Sequence, residues 1–200
     1  MHELKLTYFD VHGGRGEAAR LAMRIADIPF EDVRFTFAEF GEVRKTTPLG
    51  QVPTLFVDGR QVTQCNAINR FVGKLAGLYP QDPVQALLCD EVMDALEDVG
   101  NKFVATFGMQ GEALKAAREA LVAGPITQYL KWTEALIGDR YFVGDSLTIV
   151  DLKVFVWTNG LNSGFFDHIP TSLVEDVAPK LAAHNRLIAS LPAISAYYAG

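Results

Sequence analysis

The feature that most constrains the fold of this chain is a change in hydrophobic periodicity near residue 80. Before the segment Tyr79–Pro83, strand-like runs alternate with helical ones, whereas every periodic segment after it is helical. Two prolines within those five residues are typical of a linker. The sequence therefore predicts a small α/β domain over residues 1–78 and an all-helical domain over residues 84–200.

The first half follows the order β-α-β-x-β-β-α. Asp58-Gly59 between two β-prone runs is a strong hairpin signal. The other apolar runs alternate like strands or repeat every three to four residues like helices. The predicted elements are a strand at Leu4–Phe9, a helix at Glu17–Ala26, a strand at Asp32–Phe37, a hairpin at Thr54–Thr63 and a helix at Ala67–Leu75.

The second half contains signals for helix starts and breaks. Thr148-Ile-Val-Asp151 has the pattern of a capping box, in which the Thr hydroxyl and the Asp carboxylate satisfy each other's backbone N–H groups. Gly124-Pro125 should kink or split a helix. We expect helices over Val84–Phe107, over Glu112–Ile137 with that break, from Thr148 onward, and from about Pro179 and about Pro192.

Charge and composition exclude several classes of function. The net charge is −6, and it is uneven: residues 1–80 hold ten Lys or Arg against nine Asp or Glu, and residues 81–200 hold eight against fifteen. An acidic chain without a basic stripe is repelled by the phosphates of nucleic acid and by an anionic membrane, which argues against either as a partner. A small anion would bind in the first half. The two cysteines are too few to staple the fold, and no signal peptide or membrane-spanning run is visible, so we expect a cytoplasmic protein.

Two motifs could bind a ligand backbone or an anion. Val52-Pro53 precedes a strand, so Pro53 is either a cis proline that leaves the backbone before it free for a ligand, or a simple turn residue. Gln64-Cys65-Asn66 opens a helix whose unpaired N–H groups attract carboxylates. Asn66 could instead be a plain N-cap. Cys65 at a helix start could have a lowered pKa and be reactive.

The remaining candidate residues have ordinary interpretations. An aromatic such as Tyr8 at a strand end usually belongs to the core, and Arg15 and Arg20 would by default be solvated. The four histidines lack metal-ligand spacing, and no nucleophile elbow, P-loop or Rossmann motif is present. Asp90, Asp94 and Asp98 repeat every four residues, which fits a solvated helix face or a site for a cation.

Together these motifs resemble the cytosolic glutathione transferases, and the sigma class most closely. The resemblance covers the whole chain. It rests on the order and spacing of Leu6-Thr-Tyr8-Phe-Asp, Arg15-Gly-Glu17, Pro48-Leu-Gly-Gln-Val-Pro-Thr-Leu55, Gln64-Cys-Asn-Ala-Ile68 and Thr148-Ile-Val-Asp-Leu152. It implies a thioredoxin-like first domain that binds glutathione, an all-helical second domain, and a cleft between them for a hydrophobic co-substrate, with no metal and no cofactor besides glutathione as co-substrate.

The resemblance also implies roles for individual residues. Tyr8 would be the catalytic hydroxyl that hydrogen-bonds the glutathione sulfur, and Asp98 would reach glutathione in the neighbouring subunit of a homodimer. The other implied glutathione contacts are Arg15 beside the active corner, Gln51, Val52 and cis Pro53 at the cysteinyl part, Gln64 and Cys65 at the γ-glutamyl end, and Phe40 and Arg44 near the glycyl carboxylate.

Three departures from the family pattern bear on the function. Cys65 stands where the family has Ser, Phe40 and Arg44 stand where sigma-class relatives have Trp and Lys, and the corner His12-Gly13-Gly14 is one residue longer. We expect that corner and Phe103, Phe107 and Met109 to line the co-substrate cleft. The predicted function is conjugation of glutathione to hydrophobic electrophiles. The alternatives are a glutathione-dependent isomerase of the prostaglandin D synthase kind, or a non-catalytic, crystallin-like relative.

Overall fold

A four-stranded sheet forms the first part of the molecule. The structure is a computed structural model in which residues 2–199 are described. The strands lie in the order β2-β1-β3-β4, with β1 parallel to β2 and the other neighbours antiparallel. The elements of this half are β1 (Leu4–Phe9), α1 (Glu17–Ile25), β2 (Glu31–Phe35), α2 (Phe40–Val43), β3 (Thr54–Val57), β4 (Arg60–Val62) and α3 (Cys65–Leu75).

Strand register brings the candidate motifs to one edge of this sheet. Thr7 of β1 pairs with Thr54 of β3, and Leu55 pairs with Val62 of β4. The end of β1, the start of β3 and the end of β4 therefore lie at the same edge. Tyr8, Pro53 and Gln64 occupy those three positions, although they are far apart in the sequence.

The second part is helical throughout its described residues. Its elements are α4 (Pro83–Val104), α5 (Gly111–Leu121), α6 (Thr127–Leu136), α7 (Ile149–Asn162), α8 (Leu173–Val177), α9 (Pro179–Ala189) and α10 (Pro192–Ala199). The predicted capping box is present, since the backbone N–H and the hydroxyl of Thr148 both donate to Asp151 Oδ2, over 2.8 and 2.7 Å. None of the helices described between residues 2 and 199 is long and apolar enough to cross a membrane.

The predicted fold class, a thioredoxin-like α/β domain followed by a helical domain, is confirmed, and some element bounds differ. The second strand ends at Phe35, because residues 37–46 form short helical turns. The long helix ends at Val104, which leaves Phe107 beyond it. The break expected at Gly124-Pro125 is a wide helical turn of residues 122–126, which separates α5 from α6 and accommodates the missing proline N–H.

Helix α7 connects the two halves. It packs against α1 and α3 from the first half and against α4 and α9 from the second. Its first N–H group, that of Ile149, donates to Leu78 O over 2.7 Å. A methyl group on Gly73 of α3 would lie 3.2 Å from the Ile149 side chain, so the two helices are in close contact there. The buried apolar side chains of both halves form one continuous core.

Candidate functional site

A cavity of about 550 Å³ lies between the corner that follows β1 and helices α4 and α7. Its lining is mostly apolar. Five of its polar residues are connected by hydrogen bonds and form what we call the polar end: Tyr8, Arg15, Cys65, Glu97 and Lys153. The wide, apolar cavity with a few converging polar groups is typical of a small-molecule site.

Tyr8 is the aromatic side chain at the polar end of the cavity. The backbone N–H of Arg15 donates to the Tyr8 hydroxyl oxygen over 2.8 Å, and among residues 2–199 no group accepts the hydroxyl proton. Burial raises the pKa of Tyr8 to about 12, although the hydrogen bond from Arg15 acts in the opposite direction. Tyr8 therefore stays protonated at neutral pH and can donate to a negatively charged atom in the cavity.

Two glycines of the corner provide the space for the Tyr8 side chain, because any Cβ at these positions would overlap it. A Cβ on Gly16 would lie 2.5 Å from the Tyr8 ring, and a Cβ on Gly14 would lie 2.4 Å from the hydroxyl oxygen. Gly14 also has a φ of +72°, which favours glycine. By contrast, a Cβ on Gly13 would meet nothing within 4 Å. The glycine-rich corner is thus shaped around the tyrosine ring.

Arg15 and Lys153 share one carboxylate beneath the polar end. Arg15 Nε donates to Glu97 Oε2 over 2.8 Å, and Lys153 Nζ donates to Glu97 Oε1 over 2.6 Å. Burial works to raise the pKa of Glu97, but the two cations outweigh it and hold that pKa below its ordinary value. Glu97 is therefore ionised, and the three side chains together carry one excess positive charge.

Cys65 lies at the start of α3, but it does not have the reactive character that its position suggested. Its thiol is 7% exposed, donates to Arg15 O over 3.1 Å and lies 3.6 Å from Lys153 Nζ. Burial raises its pKa to about 11, while the charge of Lys153 lowers it only in part. The expectation of a lowered pKa was therefore wrong, because burial and the neighbouring Glu97 carboxylate outweigh the charges of Lys153 and Arg15.

Val52-Pro53 is one of the two motifs that could bind a ligand backbone or an anion. Its peptide bond is cis, which is one of the two alternatives given for Pro53. Gln64 precedes α3 with a φ of +73°, an unusual value for a residue with a side chain, and its side chain is exposed. Strained residues of this kind concentrate at ligand sites. Both features lie at the sheet edge beside Tyr8.

Four of the predicted residues lie outside this cluster. Phe40 packs against Phe9, with 5.1 Å between ring centroids, and the Arg44 guanidinium lies 5.4 Å from the Phe40 centroid. Arg44 and Gln51 are exposed. Asp98 is exposed on α4 and forms no ion pair within residues 2–199. The structure of this chain thus brings Tyr8, Arg15 and Cys65 into contact but leaves Asp98 apart from them.

Several ordinary interpretations of polar residues were wrong. Arg20 is fully buried, where it donates to Glu17 over 2.6 Å and to Asp32 over 2.9 Å, rather than solvated. Asn66 is not an N-cap, since α3 begins one residue earlier; its amide donates to Met93 O over 2.9 Å.

The acidic face of α4 is partly paired. Arg70 of α3 forms ion pairs with Asp90 over 2.8 Å and with Asp94 over 2.9 Å. Asp90 also accepts a hydrogen bond from the Tyr79 hydroxyl over 2.9 Å. The two carboxylates therefore help to hold α4 against the first half. Asp94 and Asp98 are exposed, as expected of a solvated face, whereas Asp90 is half-buried.

Sequence reasoning missed important residues of the cavity. Phe103 and Phe107 line it as expected, but Met109 does not, because the chain turns away after α4. Lys153 had no distinguishing signal, since it stands in an apolar helical stripe. The doublet Phe165-Phe166 follows α7 and contributes to the wall.

Comparisons with known proteins bear on what this site does. Residues 4–74 match the family described as Glutathione S-transferase, N-terminal domain, and residues 97–200 match Glutathione S-transferase, C-terminal domain. Hematopoietic prostaglandin D synthase of Gallus gallus is 33% identical over 198 residues, which cover 98% of this chain and 96% of the relative. Glutathione S-transferase 3 of Caenorhabditis elegans is 34% identical over 162 residues, covering 77% and 78%. The solved structure of prostaglandin synthase D of Nilaparvata lugens has a TM-score of 0.83 at 30% identity, covering 98% and 96%.

Proposed function

The chain belongs to the glutathione S-transferase family, and from this membership we propose that it joins the sulfur of glutathione to hydrophobic electrophiles in the cavity beside Tyr8. It is an enzyme, a glutathione transferase. Within the family we assign it to the sigma class, with a role in detoxifying such electrophiles.

The observation that carries this proposal is the hydrogen bonding of the Tyr8 hydroxyl. Its oxygen accepts the Arg15 N–H, and its own proton is available on the cavity side. A neutral phenol with a raised pKa cannot act as a base at pH 7, but it can donate to a thiolate. A hydrogen bond to a charged acceptor contributes about 1.5–3 kcal/mol. We therefore assign Tyr8 as the donor that stabilises the glutathione thiolate.

The sheet edge beside Tyr8 supports a glutathione site. We propose that Gln51, the Val52 backbone and Pro53 hold the cysteinyl part, and that Gln64 and the helix start at Cys65 hold the γ-glutamyl carboxylate. The excess positive charge of Arg15, Lys153 and Glu97 lies beneath that position and favours an anionic ligand. Arg44 with Phe40 would meet the glycyl carboxylate.

Lowering the thiol pKa supplies only a small part of the rate enhancement. A free thiol has a pKa of ~8.5, so a shift of two units raises the thiolate about 25-fold at pH 7. A Brønsted slope of about 0.4–0.5 takes back roughly 6- to 10-fold of that gain. Positioning two substrates in one cavity can contribute several kcal/mol. The apolar end of the cavity therefore determines which electrophiles react fast.

The reaction on a chlorinated nitroaromatic would proceed in two steps. The thiolate electron pair forms a C–S bond at the carbon that bears chlorine, and the ring with its nitro groups takes up the charge. The C–Cl bond then breaks and chloride leaves with its electron pair, so no oxidant or reductant is required. As the negative charge on sulfur disappears, the hydrogen bond that the Tyr8 hydroxyl donates to it becomes one between two neutral groups.

A steady-state assay tests the proposed function. Purified protein, glutathione and 1-chloro-2,4-dinitrobenzene should yield the thioether at a rate proportional to enzyme concentration and above the uncatalysed rate. Omission of glutathione should abolish the product, and the protein should be retained on immobilised glutathione. A rate equal to the uncatalysed reaction, together with no retention, would refute both binding and catalysis.

A glutathione-dependent isomerase is the second candidate function. Two relatives of this chain, each at 30% identity or more, carry the name of a prostaglandin D synthase. An isomerase would use the same thiolate but would release glutathione unchanged. Incubation with a prostaglandin endoperoxide and measurement of both product and free thiol separates the two, since only conjugation consumes thiol in proportion to product.

We also propose that the chain acts as a homodimer. Three apolar side chains, Val84, Leu87 and Leu88, are exposed on one stretch of α4, and exposed apolar patches of this kind mark protein–protein interfaces. Asp98 is on the same helix and lacks an ion-pair partner among residues 2–199 of its own subunit. A second copy would allow Asp98 to reach the amino group of glutathione in the neighbouring site.

A further inference from the structure

Arg118 of α5 lies behind the aromatic wall of the cavity, a name we give to Phe103, Phe107, Phe165 and Phe166. Its guanidinium carbon is 5.3 Å from the Phe103 centroid and 5.9 Å from the Phe166 centroid. Arg118 itself does not line the cavity, whereas all four phenylalanines do. It therefore supports the wall from the side away from the co-substrate.

The guanidinium is buried without a carboxylate partner. Arg118 is 7% exposed, and within residues 2–199 no acidic oxygen lies within 4.0 Å of its nitrogens. Its Nη1 donates to Asp167 O over 2.9 Å, and its Nε donates to Thr106 Oγ1 over 3.4 Å. A buried cation is costly unless its surroundings solvate it, so these two oxygens and the two ring faces must together do so.

These contacts join three segments that are separate in the sequence. Asp167 belongs to the segment after α7 that carries Phe166, and Thr106 lies just after α4, where its hydroxyl donates to Phe103 O over 2.8 Å. Arg118 contributes the connection from α5. Phe103 and Phe166 meet edge to face, with 4.6 Å between centroids and 73° between ring planes. One guanidinium thus fixes both the backbone and the ring positions of this pair.

Phe166 is the centre of the aromatic wall. Its ring also contacts Phe165 edge to face at 5.1 Å and lies nearly parallel to Phe107 at 6.4 Å. Phe107 and Phe165 are largely exposed, and their ring contacts within the wall are with Phe166 for Phe165 and with both Phe166 and Phe103, at 5.6 Å, for Phe107. If Phe166 lost its support, the three other rings would lose a common contact.

We propose that Arg118 is a specificity-determining positioning residue, which holds the aromatic wall rigid and so favours flat aromatic electrophiles over aliphatic ones. The inference rests on the proposed function, since it concerns the co-substrate end of the same cavity. A flat ring gains offset or edge-to-face contacts only if the wall rings are held at the right angle. A short aliphatic chain gains little from ring orientation, so its reaction does not depend on Arg118.

The test is the ratio of kcat/KM for 1-chloro-2,4-dinitrobenzene to kcat/KM for a short 2-alkenal, both with glutathione. We expect Arg118→Met to lower this ratio about 5- to 10-fold, with the alkenal value nearly unchanged. Arg118→Lys, which keeps the charge but loses the planar fork, should give an intermediate ratio. The control is Arg140→Met: Arg140 is exposed and lies over the Tyr141 ring, away from the cavity.

A purely structural role for Arg118 would lower both kcat/KM values together and leave the ratio at the wild-type value, which would overturn the inference. If Arg118→Met does not fold, Phe166→Leu tests the same wall and should lower the ratio similarly. Calorimetric binding of dinitrobenzene in the absence of glutathione is independent of catalysis, and we expect it to weaken about 5-fold in Arg118→Met. Unchanged binding overturns the inference even if the wild type is inactive, whereas wild-type inactivity with weakened binding refutes only the proposed function.

Discussion

At the scale of the residue, the Tyr8 hydroxyl is the group whose removal tests the mechanism most directly. We expect Tyr8→Phe to lower kcat/KM for conjugation by about 10- to 150-fold, the equivalent of losing one hydrogen bond to a charged acceptor. The KM for glutathione should change little, because in the proposed mechanism the hydroxyl contacts glutathione only at its sulfur. Steady-state kinetics on both proteins between pH 6 and 8 measure the effect.

The melting temperature of Tyr8→Phe serves as the control for that experiment. The substitution removes only the hydroxyl. The ring that packs against Gly14 and Gly16 is kept, so the fold and the melting temperature should be retained. If kcat/KM is the same in both proteins across that pH range, Tyr8 has no role in the reaction.

The thiol of Cys65 should react slowly at neutral pH. Its pKa is raised to about 11 by burial, so only about one molecule in several thousand carries a thiolate at pH 7.5. Alkylation of native protein by iodoacetamide should therefore be negligible at pH 7.5 and should rise about tenfold per pH unit toward pH 11. Intact mass spectrometry of a Cys89→Ser variant follows Cys65 alone.

The same variant unfolded in guanidinium provides the comparison, since the exposed thiol should then react rapidly at pH 7.5. A fast single adduct on the native protein at that pH would contradict the buried environment of Cys65. Such a result would favour the alternative that this residue forms mixed disulfides with oxidised glutathione.

Residue identities alone could indicate only part of this site. Tyr8, Arg15 and Cys65 were expected together because their motifs match a family, and the structure brings them into contact. Lys153 and Arg118 could not be predicted, because each is a charged residue in a helix and only tertiary packing buries it. The pKa of Cys65 was misjudged for the same reason, since the extent of burial cannot be read from a helix start.

At the scale of the element, the corner between β1 and α1 depends on the lack of a side chain at Gly16. We expect Gly16→Ala to lower kcat/KM at least 10-fold, because the new Cβ would lie 2.5 Å from the Tyr8 ring and must displace it. Gly13→Ala is a matched control in the same corner, where the new Cβ would meet nothing within 4 Å. It should retain nearly full activity. Equal losses in both variants would show that the corner needs flexibility rather than space for Tyr8.

Regular periodicity explains which elements were predictable. Strand β1 and the hairpin β3–β4 follow from alternation and from Asp58-Gly59, and the capping box marks the start of α7. The turns of residues 37–46 lack a repeating apolar pattern because their side chains are almost all at the surface. Helix α8 is only five residues long, which is too short for a periodic signal.

At the scale of the whole molecule, assembly is the property to test. We expect a dimer at micromolar concentration, and Leu87→Glu should shift it toward monomer because Leu87 is 65% exposed on the apolar stretch of α4. Leu87→Ile keeps the surface apolar and should remain dimeric. Sedimentation equilibrium measures both, and Asp98→Ala should raise the KM for glutathione without changing assembly.

An active wild-type monomer would contradict this assignment and would leave Asp98 without a role in the site. If the wild type is a dimer and Asp98→Ala leaves the KM unchanged, the two sites are complete within their own subunits.

The tyrosines of α10 have a consequence for how the chain matures during synthesis. Tyr198 donates to Glu17 over 3.2 Å, and Arg34 donates to Tyr197 over 2.9 Å, so partners of the first β-α-β unit lie 181 and 163 residues later in the sequence. His12 of the glycine-rich corner packs against both rings. A nascent chain that has emerged from the ribosome only as far as α7 therefore lacks these contacts. The first half is translated before α10, but its glycine-rich corner gains these contacts only once α10 has emerged.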